Sequence, residues 1–324
     1  MLRTPFCDLV GIDVPIIQAP MASWTTPELV AAVSNAGGLG SYATGMRPLD
    51  QVVSDIGRIR ALTDRPFAIN FLMWAFDPGA FEFALTEPPA VVSFAAGAPA
   101  DAIRQAREAG SLAQVQVNTV EQARQARSLG ADVIVAQGTE AGGLTGTVAL
   151  MPLLPQVSDA VAPIPVIAAG GMADGRALAA AMILGAQGVN VGTRFIASAE
   201  AQPGDELVQM VVRARSEDTL RATILNRMFP PPDGTFPVAM RSLTTAFLDE
   251  WEGRWSITEE DLAELRSRFG QAAETGRMHE YISGAGQSVG MIDEVLPAAE
   301  IVRRLIADAE AAIAATTRFA APAP

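Results

Sequence analysis

Two short stretches of this chain have the residue types to grip an anion. Residues 165–171, PVIAAGG, and residues 188–193, GVNVGT, each read as a strand that ends in small residues and opens a helix. Such ends leave backbone N–H groups unpaired, and the helix dipole adds to their preference for negative charge. Asp174 suits the N-cap of the helix that follows the first, and Ala and Leu carry that helix through Leu184. If the two strands are neighbours in a parallel sheet, Gly170, Gly171, Gly192 and Thr193 open on one side and together hold a phosphate. Plain turn glycines would look the same in sequence, so the surrounding elements must decide.

Those elements repeat. Apolar runs begin near Ile16, Leu39, Phe67, Val91, Gln114, Asp132, Pro165 and Gly188, about one strand–helix unit apart each time. The intervening Ala/Arg/Gln-rich stretches predict helices over Pro27–Ala36, Leu49–Leu62, Ala100–Ala109, Val120–Leu129 and Ala177–Leu184, several stopped by Ala-Gly or Leu-Gly pairs. Near-continuous apolar strands alternating with helices imply an α/β protein with a covered parallel sheet. Eight units fit a closed (β/α)8 TIM barrel better than an open doubly wound sheet, and the two glycine turns then end its seventh and eighth strands, where that fold commonly binds phosphate.

After Arg194 the pattern changes. Residues 205–283 carry no strand-like run but hold amphipathic pieces, Glu206–Arg227 and Thr258–Thr275, around a proline-rich turn from Phe229 to Gly234, with Phe247, Trp251, Trp255 and Tyr281 as bulky residues. This reads as a helical lid inserted after strand 8. The expected division is a barrel from 1–204 and 284–324 and a lid or substrate domain over 205–283. SGAGQSVG (283–290) leads into a last helix from about Pro297 to Ala315, and the AAPAP tail is expected to fray.

The 324 residues, 49% hydrophobic and 18% charged, can bury a large core without disulfides. The formal net charge of −13 and the lack of a basic cluster argue against nucleic acid and anionic membranes. With no long apolar run and one cysteine, Cys7, expected buried and inert, the sequence points to a cytoplasmic protein.

Barrel enzymes carry their working groups at the carboxyl ends of the strands. Those positions here are Pro20, Met21 and Ala22; Asn70; Phe94; Gln116, Val117 and Asn118; Gln137, with the loop Glu140-Ala141-Gly142-Gly143; Gly170 and Gly171; and Gly192 and Thr193. The set is rich in amides and poor in charge. Glu140 is expected to order its loop. No cluster has metal-ligand spacing, and the one histidine, His279, lies in the lid, which leaves no nucleophile–base pair. A neutral cup with a phosphate clamp suits FMN, whose ring edge needs hydrogen-bond partners and which brings its own redox chemistry. Met73, Trp74 and Leu144 are candidate substrate-pocket walls, as are Gln287 and Ser288 just after the lid.

The blocks PIIQAPM (15–21), NAGGLG (35–40), FAINFLM (67–73), GADVIVAQGTEAGG (130–143), 165–195 and GAGQSVGMI (284–292) resemble the nitronate monooxygenase (2-nitropropane dioxygenase) family of FMN-dependent barrels, whose relatives include NADH:quinone reductases and an FMN-type enoyl-ACP reductase. The resemblance implies that Asn70, Gln137 and Gly142 contact the flavin, that Gly171, Gly192 and Thr193 hold its phosphate, and that the Pro20-Met21-Ala22 backbone lies along the ring. Gln116, Gly143 and Gly170 complete the expected cofactor set. Asn190 stands where the family often has Gln. The family loop usually reads EAGGH-x-G, with the histidine as base; here it reads EAGGLTG, with Leu144 in that place and His279 the distant substitute. Leucine takes no proton, which weighs against neutral nitroalkanes but not against nitronates, already deprotonated. The expected function is oxidation of alkyl nitronates by O2 through FMN. The alternatives are NAD(P)H-dependent reduction of quinones or enoyl thioesters, and flavin binding with little turnover. A small-molecule substrate is implied; NAD(P)H as donor and a homodimer are left open.

Overall fold

The computed structural model describes residues 2–230 and 239–316. Residues 231–234 of the proline-rich turn, and the AAPAP tail, lie outside them. Eight parallel strands, β1 (Ile16–Gln18), β2 (Gly40–Ala43), β3 (Phe67–Leu72), β4 (Val91–Ala95), β5 (Leu112–Val117), β6 (Val133–Gln137), β8 (Val166–Ala169) and β9 (Gly188–Val191), form one sheet in the order β1-β9-β8-β6-β5-β4-β3-β2. A parallel bridge from Ile17 to Leu39 brings the two edges together, so the sheet closes nearly into a barrel. The expected TIM barrel is the architecture of this chain.

The helices are built as the sequence suggests. Thr26, Asp77, Thr119 and Asp174 each accept a backbone N–H of the first turn that follows, which fixes where the chain leaves a strand end and turns back. Helices Pro5–Val10, Pro78–Thr86 and Leu150–Val161 come in addition to those read from composition. The first packs Phe6, Cys7 and Val10 among Ile17, Leu39, Ala68, Val91, Val133 and Ile167, filling the barrel interior from its amino-terminal end. Cys7 is buried there.

Side-chain parity decides what each strand offers. Ile69, Phe71, Val92, Phe94, Val115, Val117, Ile134, Ala136 and Val189 belong to the core between sheet and helices. The alternate residues point inward, apolar toward the strand starts and polar toward the strand ends: Ser41, Asn70, Ser93, Gln114, Gln116, Gln137 and Asn190. None of the eight strands contains a charged residue or a histidine.

Beyond Arg194 the structure departs from an all-helical insertion. Helices Asp205–Arg213, Ala246–Trp251 and Glu259–Glu274 are present, but β10 (Thr219–Ala222) and β11 (Ala239–Leu243) pair antiparallel, and β11 pairs in turn with β7 (Gly143–Thr145) from the EAGG loop. The expected helical piece over Glu206–Arg227 is therefore broken by a strand. Each of these strands is four or five residues long and β10 carries an arginine, so neither shows as an apolar run. Tertiary pairing outweighs local pattern here.

The last helix, Ala298–Thr316, lies so close to helix Gly175–Ile183 that a Cβ on Gly175 would run into the backbone of Leu305 and Ala309. Gly175→Val should therefore lower stability by about 1–3 kcal/mol, measured by chemical denaturation; an unchanged midpoint would show that the two helices are not held in contact.

Candidate active site

The barrel mouth is floored by two amide clusters. On one side the Asn70 side-chain amide donates to the Ser93 hydroxyl (3.2 Å) and the Gln114 amide to the same oxygen (3.1 Å). On the other, the Asn118 amide donates to the Gln137 side-chain oxygen (2.8 Å) and the Gln116 amide to that oxygen too (3.2 Å). The side-chain oxygens of Gln114 and Asn190 are buried and accept nothing. A buried acceptor left empty costs about 1–3 kcal/mol, so both suit a bound group that brings N–H or O–H donors.

Two glycine segments meet above this floor. An ideal Cβ on Gly142 would stand 2.7 Å from the Ala285 carbonyl carbon, and one on Gly286 would stand 2.6 Å from the Glu140 oxygen. The Gln287 N–H donates to the Glu140 carbonyl (2.9 Å) and the Gly286 N–H to the Thr193 hydroxyl (2.9 Å). Ser288 is buried in the 3-10 turn Gln287–Met291. The Glu140 carboxylate accepts the Leu150 N–H (3.0 Å), so it orders its own loop. Arg194, buried and lowered in pKa by that burial, ties the β9 end to the carbonyls of Ala197 (2.9 Å) and Glu294 (2.6 Å).

The glycine turns take their expected form. Gly170 and Gly171 have φ of +107° and +73°, a region other residues enter at a cost, and Gly171 is exposed at the mouth. A Cβ on Gly192 would touch only Ala19. Thr193 begins the short helix Thr193–Ile196, whose first N–H groups have no intrahelical acceptor. A ligand that joins a phosphate to an uncharged, donor-bearing ring, as FMN does, fits this donor set and the two empty acceptors.

The structure thus brings together Asn70, Gln116, Gln137, Gly142, Gly143, Gly170, Gly171, Gly192, Thr193, Gln287 and Ser288. Pro20, Met21 and Ala22 follow β1; the Met21 N–H donates to the Thr25 hydroxyl (2.8 Å), and Ala22 is exposed at a φ of +44°. A left-handed alanine is a strained backbone of the kind found at ligand sites. Met73 packs toward Gly97 and the main core, whereas Trp74 stands out at the rim, 57% exposed. Phe94 turns away from the mouth onto Phe71 and Phe81. His279 lies in the insertion, 2.6 Å from the exposed Glu206. Leu144 is in β7, facing Met240 across the β7–β11 pair.

Residues that strand-end reasoning passed over, Ser93 and Gln114, could have been found by counting in twos from the strand ends. Met240 could not, because its place depends on the β7–β11 pairing.

Among known proteins, a family model described as nitronate monooxygenase matches residues 3–80 and 77–308. A (3aS,4S,5R,7aS)-5-hydroxy-7a-methyl-1-oxo-octahydro-1H-indene-4-carboxyl-CoA dehydrogenase of Mycobacterium tuberculosis is 40% identical over 230 residues, covering 70% of this chain and 65% of that protein. A nitronate monooxygenase of Paraburkholderia phytofirmans is 32% identical, covering 96% of each chain. FabK from Thermotoga maritima superposes with a TM-score of 0.88 at 33% identity, covering 99% of this chain and all of that one. A nitroalkane oxidase of Streptomyces ansochromogenes gives a TM-score of 0.81 at 32% identity, covering 96% and 99%.

Replacing Thr193 by Val removes the acceptor of the Gly286 N–H and leaves that group buried and unpaired. Thr193→Val should weaken FMN binding roughly tenfold, as a loss of about 1.4 kcal/mol implies, and Thr193→Ser should restore it. Fluorescence titration of the apoprotein reads both; equal affinities in the two variants would discard the latch.

Proposed function

This chain belongs to the nitronate monooxygenase family of FMN-dependent oxidoreductases, and within that family we propose that it reduces the carbon–carbon double bond of an enoyl thioester with electrons from NAD(P)H. The observation that carries this is the uncharged mouth: the eight barrel strands supply no charged residue and no histidine, and Leu144 opposite Met240 puts an apolar pair where the family places its base. Removing a proton from a saturated thioester or a neutral nitroalkane needs a base. Adding a hydride to an activated double bond needs none, because water can protonate the neighbouring carbon. The high similarity to a CoA-ester dehydrogenase and to FabK supports a thioester.

FMN supplies the two-electron transfer. In this reading Asn70, Gln116 and Gln137 hold the ring edge, Asn190 accepts a donor of the bound cofactor, and Gly142, Gly143, Gly170, Gly171, Gly192 and Thr193 hold its phosphate. Pro20, Met21 and Ala22 present backbone to the ring. Trp74, Met73, Leu144, Gln287 and Ser288 shape an apolar, water-poor approach for the acyl chain. The segment 205–283 acts as a substrate domain over the barrel of 1–204 and 284–324.

Oxidation of alkyl nitronates is the second reading. It is favoured by the relative from P. phytofirmans and by a donor that arrives already deprotonated. Stopped-flow absorbance separates the two. Under the first, NADH or NADPH bleaches the bound flavin and an enoyl thioester restores its colour faster than oxygen does. Bleaching by nitronate and not by NAD(P)H would reverse the order.

Leu144→His should raise activity on neutral nitroalkanes, by about tenfold or more if the imidazole reaches the substrate. No gain in a folded, flavin-loaded variant would remove Leu144 from the substrate's path.

A further inference from the structure

The chain contains no lysine, so every side-chain cation fixed at neutral pH is a guanidinium. Most arginines spend that charge on a carboxylate, as Arg104 does on Asp101 and Glu108. Two do not. Arg221 and Arg241 stand opposite each other on β10 and β11, their Cβ atoms about 5 Å apart as the pairing dictates, a placement that like charges disfavour. Among the described residues neither has a carboxylate in ion-pair contact. Arg241, 8% exposed, donates from Nε to the Thr139 carbonyl (2.7 Å) and from Nη1 to the Thr219 hydroxyl (3.2 Å). Arg221, half-buried, donates from Nη2 to the Thr145 carbonyl (3.2 Å), and its Nε is buried with no acceptor. Arg241 feels the charge of the Glu140 carboxylate without an ion-pair contact, and that carboxylate accepts the Leu150 N–H.

We propose that Arg221 and Arg241 form an anion site at the rim of the barrel mouth that binds the phosphate groups of a nucleotide-bearing ligand. The location follows from the three-stranded sheet. Gly143 lies across from Arg241, and the carbonyl that Arg221 grips belongs to Thr145, so the pair flanks the strand that carries Leu144. Guanidinium forks match phosphate oxygens two at a time, and a phosphate offers enough of them to serve both arginines. In a protein of net charge −13, the pair carries positive charge that no carboxylate among the described residues meets in an ion pair. An incoming phosphate removes the repulsion between the two arginines. The proposal rests on the enoyl-thioester reading insofar as the carrier is CoA; the same chemistry is present in NADPH.

The test is calorimetric titration of the FMN-loaded protein and of its Arg221→Gln variant with CoA, with NADPH and with pantetheine, which lacks the phosphates. Retained flavin and an unchanged melting temperature confirm that the variant is folded. The expected result is a loss of about tenfold in affinity for CoA or for NADPH, steeper at low salt, with pantetheine unaffected. Loss for CoA assigns the site to the thioester; loss for NADPH assigns it to the reductant. Equal binding of both ligands by the variant and the unaltered protein, or binding of neither, overturns the site. Turnover of a phosphate-free pantetheine enoyl thioester is measured alongside. It does not depend on the arginines, so turnover with unchanged CoA and NADPH binding sinks the phosphate site alone, and its absence sinks the thioester reading alone.

Discussion

Two lengths of backbone approach more closely than a β-carbon allows, and the mouth of this barrel depends on that approach. Gly142 against Ala285 and Gly286 against Glu140 are contacts that only glycine on both sides permits. They join a loop after β6 to a segment nearly 150 residues later, at 284–286, without any side chain between. The Gly286 N–H reaching Thr193 then ties both to the end of β9. Three separate parts of the chain are fixed relative to the glycine turn at Gly170 and Gly171, so a phosphate bound there meets donors whose positions are already set. Preorganisation of this kind spares the ordering cost that a loose loop would incur on binding.

How much of this was legible in sequence follows from the range of the forces involved. The eight strands, their order and the small-residue strand ends are local features, written as apolar runs and glycines, and the barrel follows from them. Which residue of each strand faces the mouth is also local, since parity fixes it; by that count Asn70 and Gln137 face inward and Phe94, expected among the strand-end working positions, faces outward. The small sheet of β7, β10 and β11 is different. Arg221 and Ser242 interrupt any apolar run, and the strands exist because they pair with one another and with Gly143–Thr145. No window of ten residues contains that information. The consequence is specific: Leu144, legible as a loop residue, is a strand residue with Met240 as its neighbour, and Arg221 and Arg241 become a pair that sequence spacing alone would not suggest.

Charge is distributed in this molecule by exclusion. Twenty-three basic and thirty-six acidic side chains are present, yet none lies in the eight barrel strands. In the low-dielectric interior an unpaired charge would cost several kcal/mol, and the amide floor supplies directed hydrogen bonding without that cost. A neutral cup also leaves the electronics of a bound flavin to its own hydrogen bonds, with no fixed cation or anion of the strands beside the ring. The eight barrel strands offer no carboxylate or histidine to act as a general acid or base. In the proposed reading electrons move to or from a carbon already activated, by a conjugated carbonyl or by a nitronate's own charge, and water manages the proton.

In that reading the recognition of the substrate lies away from the reacting atoms. With amides and aliphatic walls at the centre, the mouth distinguishes substrates by shape and by how little water they bring with them. A double bond in a long acyl chain and a small nitronate differ little by those criteria. In the proposed reading selectivity falls to groups at the rim, where the insertion adds its strands to β7 and where charge reappears. Trp74, exposed after β3, and the arginines of β10 and β11 belong to different parts of the chain around the mouth. A ligand long enough to touch both has to be an extended one, with an apolar end inside and a polar end outside. The family's shared barrel accounts for the flavin chemistry; the inserted sheet, which the sequence hides best, is the part of this chain free to decide what the flavin acts upon.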